Sequence, residues 1–307
     1  MGTLGEENFS LKLTPDGNSW TTALPAEAAS GNIVFPAGIS LPVGTENLLI
    51  NPEFSINQRV FTAPTLAAGL YGHDRWQAIA GGASYQVANG GVMLETGGLR
   101  QVIEIETHST GTFSLGFEQF DPGLRVTLSG RAPDYSSPDR KAHRFENIAS
   151  TNGRLILEIS GSGKFMRPFL TTGKGRPHWS PRPQAVELSL CSRYFTKSFG
   201  VNVAPASIND NRWQQAAFSW HPNVATGART FFPAEMRARP TIKFFSSTDG
   251  QDGDWYVLIS GQFIQCEARA SRADERGFMP GVFNPDLSLN IGNGYFIGGH
   301  WTAEAEL

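Results

Sequence analysis

From Leu48 to Ile297 the apolar residues arrive in short bursts, and Gly or Pro falls between most of them. Ser84–Val87, Val92–Leu94, Val102–Ile105, Phe113–Phe117, Arg125–Leu128 and Leu155–Ile159 form one series. Gln215–Trp220, Thr230–Phe232, Thr241–Phe245, Trp255–Ile259, Phe263–Ala268 and Tyr295–Ile297 form a second. Bursts of this length, spaced about 8 to 12 residues apart with turn chemistry between them, are too short for core helices and predict many antiparallel strands. The composition agrees: 34 Gly, 19 Pro and 21 Phe accompany only 17% charged residues, which suits strands and tight turns better than solvated helices. The expected fold class is all-β.

Three segments follow. Residues 1–45 read as an extended N-terminal segment in which Phe9, Leu11 and Leu13 alternate with polar neighbours, followed by Trp20, Leu24 and Ile33-Val34-Phe35. These are too few to bury a core, so the segment is expected to gain stability by pairing with the rest of the chain or with copies of itself. Residues 46–184 read as a jelly-roll or β-sandwich domain. Pro177, Pro181 and Pro183 then force an extended connection. Residues 185–307 read as a short linking helix and a second β-sandwich-like domain. The helix is expected over Ala185–Phe199, which lacks Gly and Pro and places Val186, Leu190, Cys191 and Tyr194 near one face.

No enzyme chemistry is legible. The six histidines form no HExxH, HxxxH or HxH pair, no GxSxG elbow or GxxxxGK[ST] loop occurs, and no cofactor is expected. Asp249, Asp252 and Asp254 are a weak calcium candidate, but a calcium loop opening at Asp249 would close on a bidentate Glu where this chain has Ser260. A polar hairpin tip is the expected reading. Gly161–Lys164 and Gly173–Gly175 read as hairpin turns rather than phosphate cradles, because no helix follows them. A net charge of −3 gives no field to attract nucleic acid or an anionic membrane. No stretch is long and apolar enough to span a bilayer, and the N-terminus lacks a secretory pattern, so the chain is expected to be made and folded as a soluble cytoplasmic product. Cys191 and Cys266 are expected as two buried thiols rather than one disulfide. Tyr71, His73, Asp74, Arg75, Trp76 and Trp301 combine stacking rings with polar groups and are candidate saccharide ligands, although Trp76 at the start of a strand is first a core residue, and Trp213 and Trp220 are expected to pack.

Three stretches resemble one family. Asn47 to Arg59 (NLLINPEFSINQR) with Tyr71 and Asp74-Arg75-Trp76 is similar to the "NLLINGxFxxxQRG…YxxDRW" opening of phage tail-fibre and related virion proteins. Pro181–Pro183 with Glu187–Phe199 resembles their "RPxxxELxLCxRYYxKS" signature. Phe232–Ile242 resembles "FPxxMRxxPT", and Ala303–Leu307 resembles the family's ending. The resemblance implies a galactose-binding-like jelly roll, a β-rich module after it, and a homotrimeric fibre or spike on a virion. The first 45 residues would then attach to other virion proteins, and a host-surface glycan would be the receptor. It carries over no catalytic residue. The strand after "VTLS" departs from the family at Arg125–Pro133 (RVTLSGRAP). Glu187 and Arg193 are expected to anchor the helix to the two domains, Tyr194 to bury one face of it with Leu190 and Cys191, and Arg237 and Arg239 to serve a domain or trimer interface. The alternatives are a tailspike-like glycan depolymerase and a purely architectural decoration or collar protein.

Overall fold

The computed structural model describes residues 9–14, 16–26, 46–105, 110–174, 179–208 and 213–307. Ile33-Val34-Phe35, His108, Gly175, Pro177 and His178 lie outside them. The chain divides into two compact units, Met1–Val43 and Gly44–Leu307.

In the first unit, β1 (Phe9–Leu13) and β2 (Thr21–Ala26) form an antiparallel hairpin. Its turn is closed by Asp16, whose carboxylate accepts the amides of Asn18 at 2.9 Å and Ser19 at 2.8 Å. Those bonds hold the Asp16 pKa down at about 2. Leu11, Leu13 and Trp20 stand exposed.

The second unit begins with a two-sheet sandwich of eleven strands. They are β3 (Thr65–Leu66), β4 (Gln77–Ala88), β5 (Gly91–Glu104), β6 (Thr110–Gly116), β7 (Gln119–Phe120), β8 (Leu124–Leu128), β9 (Tyr135–Ser136), β10 (Ala142–Ala149), β11 (Arg154–Gly161), β12 (Gly163–Met166) and β13 (Phe169–Thr172). One sheet runs β13-β6-β10-β9. The other runs β3-β4-β5-β11-β8, with β12 joining β5 to β7. Alternation puts Leu155, Leu157 and Ile159 of β11 and Leu124, Val126 and Leu128 of β8 inward, where they meet Phe113, Leu115 and Phe145 of the other sheet in one core.

After the prolines come α1 (Gln184–Ser192), β14 (Phe195–Lys197), β15 (Trp213–His221), β16 (Val224–Gly227), β17 (Thr230–Phe231), β18 (Thr241–Phe245), β19 (Asp254–Ile259), β20 (Gln262–Asp274), β21 (Gly277–Phe283) and β22 (Gly294–Glu304). The all-β expectation holds, with a single short helix among the described residues. The helix is shorter than expected. It stops at Ser192, because Phe195–Lys197 instead pairs with Thr302–Glu304 of β22. Its buried face carries Glu187 and Cys191, one helical turn apart, while Val186 is exposed.

The second β-domain closes into a ring. Strands follow the order β22-β15-β16-β21-β20-β19, and β19 pairs back onto β22. A six-stranded ring has a narrow interior, and Ala217, Ala225, Cys266 and Ala268 leave room within it for Phe278, Val257 and Ile297. Beyond the ring, β22 continues between β14 and β18. The ring's outer face exposes Phe218, Phe296 and Phe263, with Leu258 directly opposite both Phe296 and Phe263 across the strands. Trp220, expected to pack, is also exposed; its indole N–H donates to the Thr226 hydroxyl at 2.9 Å.

Candidate functional site

The stretches that carry the family resemblance meet at one place, a buried polar seam between the sandwich and the ring. Asn51 organises its near side. With φ at 55° it adopts the left-handed conformation that Asn tolerates. Its side chain bonds the backbone of Ile56 and Asp74, and its carbonyl accepts the Trp76 indole N–H at 2.8 Å. Its amide donates to Glu187 of α1 at 2.8 Å. Glu187 in turn receives Arg182 Nε at 2.6 Å, and Arg182 also donates to the carbonyls of Asn47 and Leu49. The proline-rich connector is thereby tied to the sandwich. Glu187 sits on the buried face of the helix between its two partners, Asn51 and Arg182.

Deeper in the seam, Arg75 is 1% exposed and donates to Glu306 and to the Val102 carbonyl, with its guanidinium 3.4 Å from the centre of the Tyr194 ring. Arg59 reaches Glu304 at 3.1 Å and Glu306 at 3.3 Å while lying 3.9 Å over Phe195. Asp74 accepts both nitrogens of Gln58, whose amide also donates to the Phe195 carbonyl. Tyr71 donates to the Leu307 carbonyl at 2.7 Å, and Tyr194 to Glu104 at 2.7 Å. Burial pushes the Asp74 and Glu306 carboxyls above their ordinary range, opposed by the neighbouring arginines. It lifts the Tyr71 and Tyr194 hydroxyls to about 12.

This placement corrects the reading of Tyr71 to Trp76 as saccharide ligands. Trp76 is fully buried and stacks on Phe54 with ring centres 4.6 Å apart. His73 sits among Phe54, Phe61 and Tyr85, and its desolvated imidazole titrates down at about 4. Asp74 and Tyr71 turn their polar atoms to the seam, as does Arg75 through both terminal nitrogens, its Nε being buried without a partner. Trp301 is buried against Phe232 and Phe278. A ligand needs an open face, and these side chains present none.

The arginines divide. Arg237 approaches Glu104 at 3.8 Å and belongs to the seam. Arg193 and Arg239 point into solvent, and Arg193 contributes only its carbonyl, which accepts the Arg237 amide at 2.9 Å. The acidic tip is a turn: Asp249 caps it through the Gln251 amide, while Asp254 turns to Gln265. No group of three metal-ligating side chains occurs among the described residues. Both cysteines are free and buried; burial raises the Cys191 thiol strongly and the Cys266 thiol to about 11, so neither is a nucleophile at neutral pH.

Two clefts open beside α1. One, of 350 Å³, is lined by Gln58, Leu188, Ser189, Ser192, Lys197 and Phe199 among others. Lys197 donates to the carbonyls of Val201 and Val203 at 3.1 and 2.6 Å, and burial lowers its pKa to about 8. The second, of 290 Å³, is lined by Pro52, Glu53, Ser55, Trp179, Arg182, Gln184 and Glu187.

No family model matches the chain, and no curated protein matches it in sequence. Among solved structures it is similar to the native structure of recombinant discoidin II of Dictyostelium discoideum, at 12% identity over 82% of this chain and 94% of that one, with a TM-score of 0.20. It is also similar to a Paenibacillus sp. cycloisomaltooligosaccharide glucanotransferase complexed with cycloisomaltoheptaose, at 11% identity over 81% of this chain and 46% of that one, with a TM-score of 0.19. Scores this low transfer neither a site nor an activity.

The charged seam residues that sequence reasoning missed are Arg59, Arg182, Glu104, Glu304 and Glu306. Four of them sit within the quoted motif stretches, where a basic cluster in one and an acidic pair in another were a complementary signal. Glu104 carried none.

Proposed function

We propose that the chain is a structural, non-catalytic subunit of a phage virion, a fibre or spike component that self-associates as a homotrimer and meets a host-surface glycan. The observation that carries this reading is the convergence of the motif stretches on a single buried junction between two β-domains. Residues devoted to joining domains suit a part that must stay rigid, whereas a catalytic constellation faces an open cleft. Trimerisation draws support from the N-terminal hairpin. Two strands are marginal by themselves, and this pair exposes Leu11, Leu13 and Trp20. Its attachment to other virion proteins belongs to the same reading.

Light scattering on the full chain is expected to give the mass of about three chains, lost on deletion of residues 1–45. A stable monomer overturns the homotrimer. Release of oligosaccharide from capsule or lipopolysaccharide by the pure protein would replace the structural reading with a depolymerase.

A further inference from the structure

We propose that the cleft beside Trp179 is a binding subsite for a neutral pyranose. It deepens the glycan half of the reading above and rests on it for the ligand class. Three features of the cleft converge. The first is its wall: the Trp179 ring, partly buried with the Arg167 guanidinium 5.8 Å over it and Phe169 packed against it, lies with Pro52 along a 290 Å³ space, a fit for one sugar ring, whose C–H face is attracted to the part of the indole left uncovered.

The second is charge. Every ionic group at the cleft is paired within the protein. Glu53 accepts Arg167 Nε at 2.7 Å, and Arg167 continues to Glu118. Arg182 is held by Glu187 and by two backbone carbonyls. The cleft therefore offers no unpaired charge to a phosphate or a cation, and its walls are held in place before a ligand arrives, which lowers the ordering cost of binding.

The third is the unspent polar set. The Ser55 hydroxyl and the Gln184 amide are exposed, and neither has a hydrogen-bond partner among the described residues. A hydroxyl and a carboxamide together both donate and accept, which is the pattern that sugar hydroxyls require. The buried Tyr71 to Trp76 cluster lacks this combination, and the exposed phenylalanines of the ring lack its polar half.

The test uses the full chain and a panel of methyl glycosides of galactose, glucose and N-acetylglucosamine, titrated by calorimetry at low and high salt. At least one glycoside is expected to bind saturably, with affinity unchanged by salt and by inorganic phosphate. Trp179→Ala and Gln184→Ala should each weaken it about tenfold or more. Trp220→Ala, on the remote outer face of the ring, should leave it unchanged, and circular dichroism should show all three variants folded. No saturable binding by any glycoside, binding retained in Trp179→Ala, or competition by phosphate would each overturn the subsite. Oligomeric mass is read on the same samples, so the two ideas fail separately. A trimer that binds no glycoside removes only the subsite, and a monomer that binds one removes only the homotrimer.

Discussion

Arg75 and Glu306 show why the seam depends on pairs of residues rather than on single charges. Each is buried, and each lies against more than its partner: Val102 and Tyr194 for Arg75, Arg59 for Glu306. Glu306→Ala strands a buried guanidinium and is expected to cost about 3 to 5 kcal/mol in denaturant unfolding. Arg193→Ala, whose side chain reaches solvent, should leave the unfolding curve in place; a clear loss would mean that the side chain anchors the helix after all. His73 adds a pH dependence of definite sign. Its folded pKa of about 4 lies below its ordinary 6.5. The unfolded chain therefore takes up the proton first, so the stability it contributes is complete above pH 6.5 and drains away as pH falls toward 4. Asp74 and Glu306, raised by burial, act in the opposite direction, holding protons in the fold at a pH where the unfolded chain has released them. Comparing unfolding of wild type and His73→Gln across that window isolates the histidine: the variant should lose less stability on acidification than wild type does. Equal losses would place the titration elsewhere.

At the scale of elements, β22 decides the second domain, and its sequence hides it. The apolar run was legible only over Tyr295–Ile297, because Gly298 and Gly299 read as a stop. The strand instead runs through both glycines, pairing with β15 as far as Gly299 and with β19 as far as Gly298, and with β14 and β18 after them. A Cβ on Gly299 would lie 2.3 Å from the Trp255 ring, at a φ of +155°. Gly299→Ala must therefore move Trp255 and is expected to destabilise by about 1 to 3 kcal/mol, read as a lowered unfolding midpoint. No loss of stability would show that Trp255 repacks freely. Strands with clean alternation, such as β8 and β11, were plain in the sequence. β10 and β21 escaped notice: a bulge between Phe145 and Ile148 breaks the alternation of the first, and Gly281 and Pro280 punctuate the second. The end of the helix was illegible for a related reason. Helical spacing is a local property, whereas β14 exists because a partner strand more than a hundred residues later claims its backbone. The two clefts beside α1 were equally invisible, since they join residues from distant parts of the sequence.

Across the whole of Gly44–Leu307, two separate hydrophobic cores share one seam. Each core could in principle melt alone. What couples them is the set of bonds from Tyr71, Arg59 and Arg75 to residues 304–307, together with Asn51 to Glu187, Gln58 to Phe195 and Tyr194 to Glu104. Opening that junction with the domains still folded would leave buried arginines and carboxylates without their partners, which costs more than typical domain contacts do. Calorimetry on the wild-type unit should therefore give a single transition whose calorimetric and van't Hoff enthalpies agree. Replacing Arg59 and Arg75 together by Met removes the cations while keeping apolar length, and it leaves Asp74, Glu304 and Glu306 facing one another. That variant is expected to split into two transitions, one for the sandwich and one for the ring. A variant that lost stability yet still melted in one step would mean that the covalent connector and α1, rather than the ionic seam, carry the coupling.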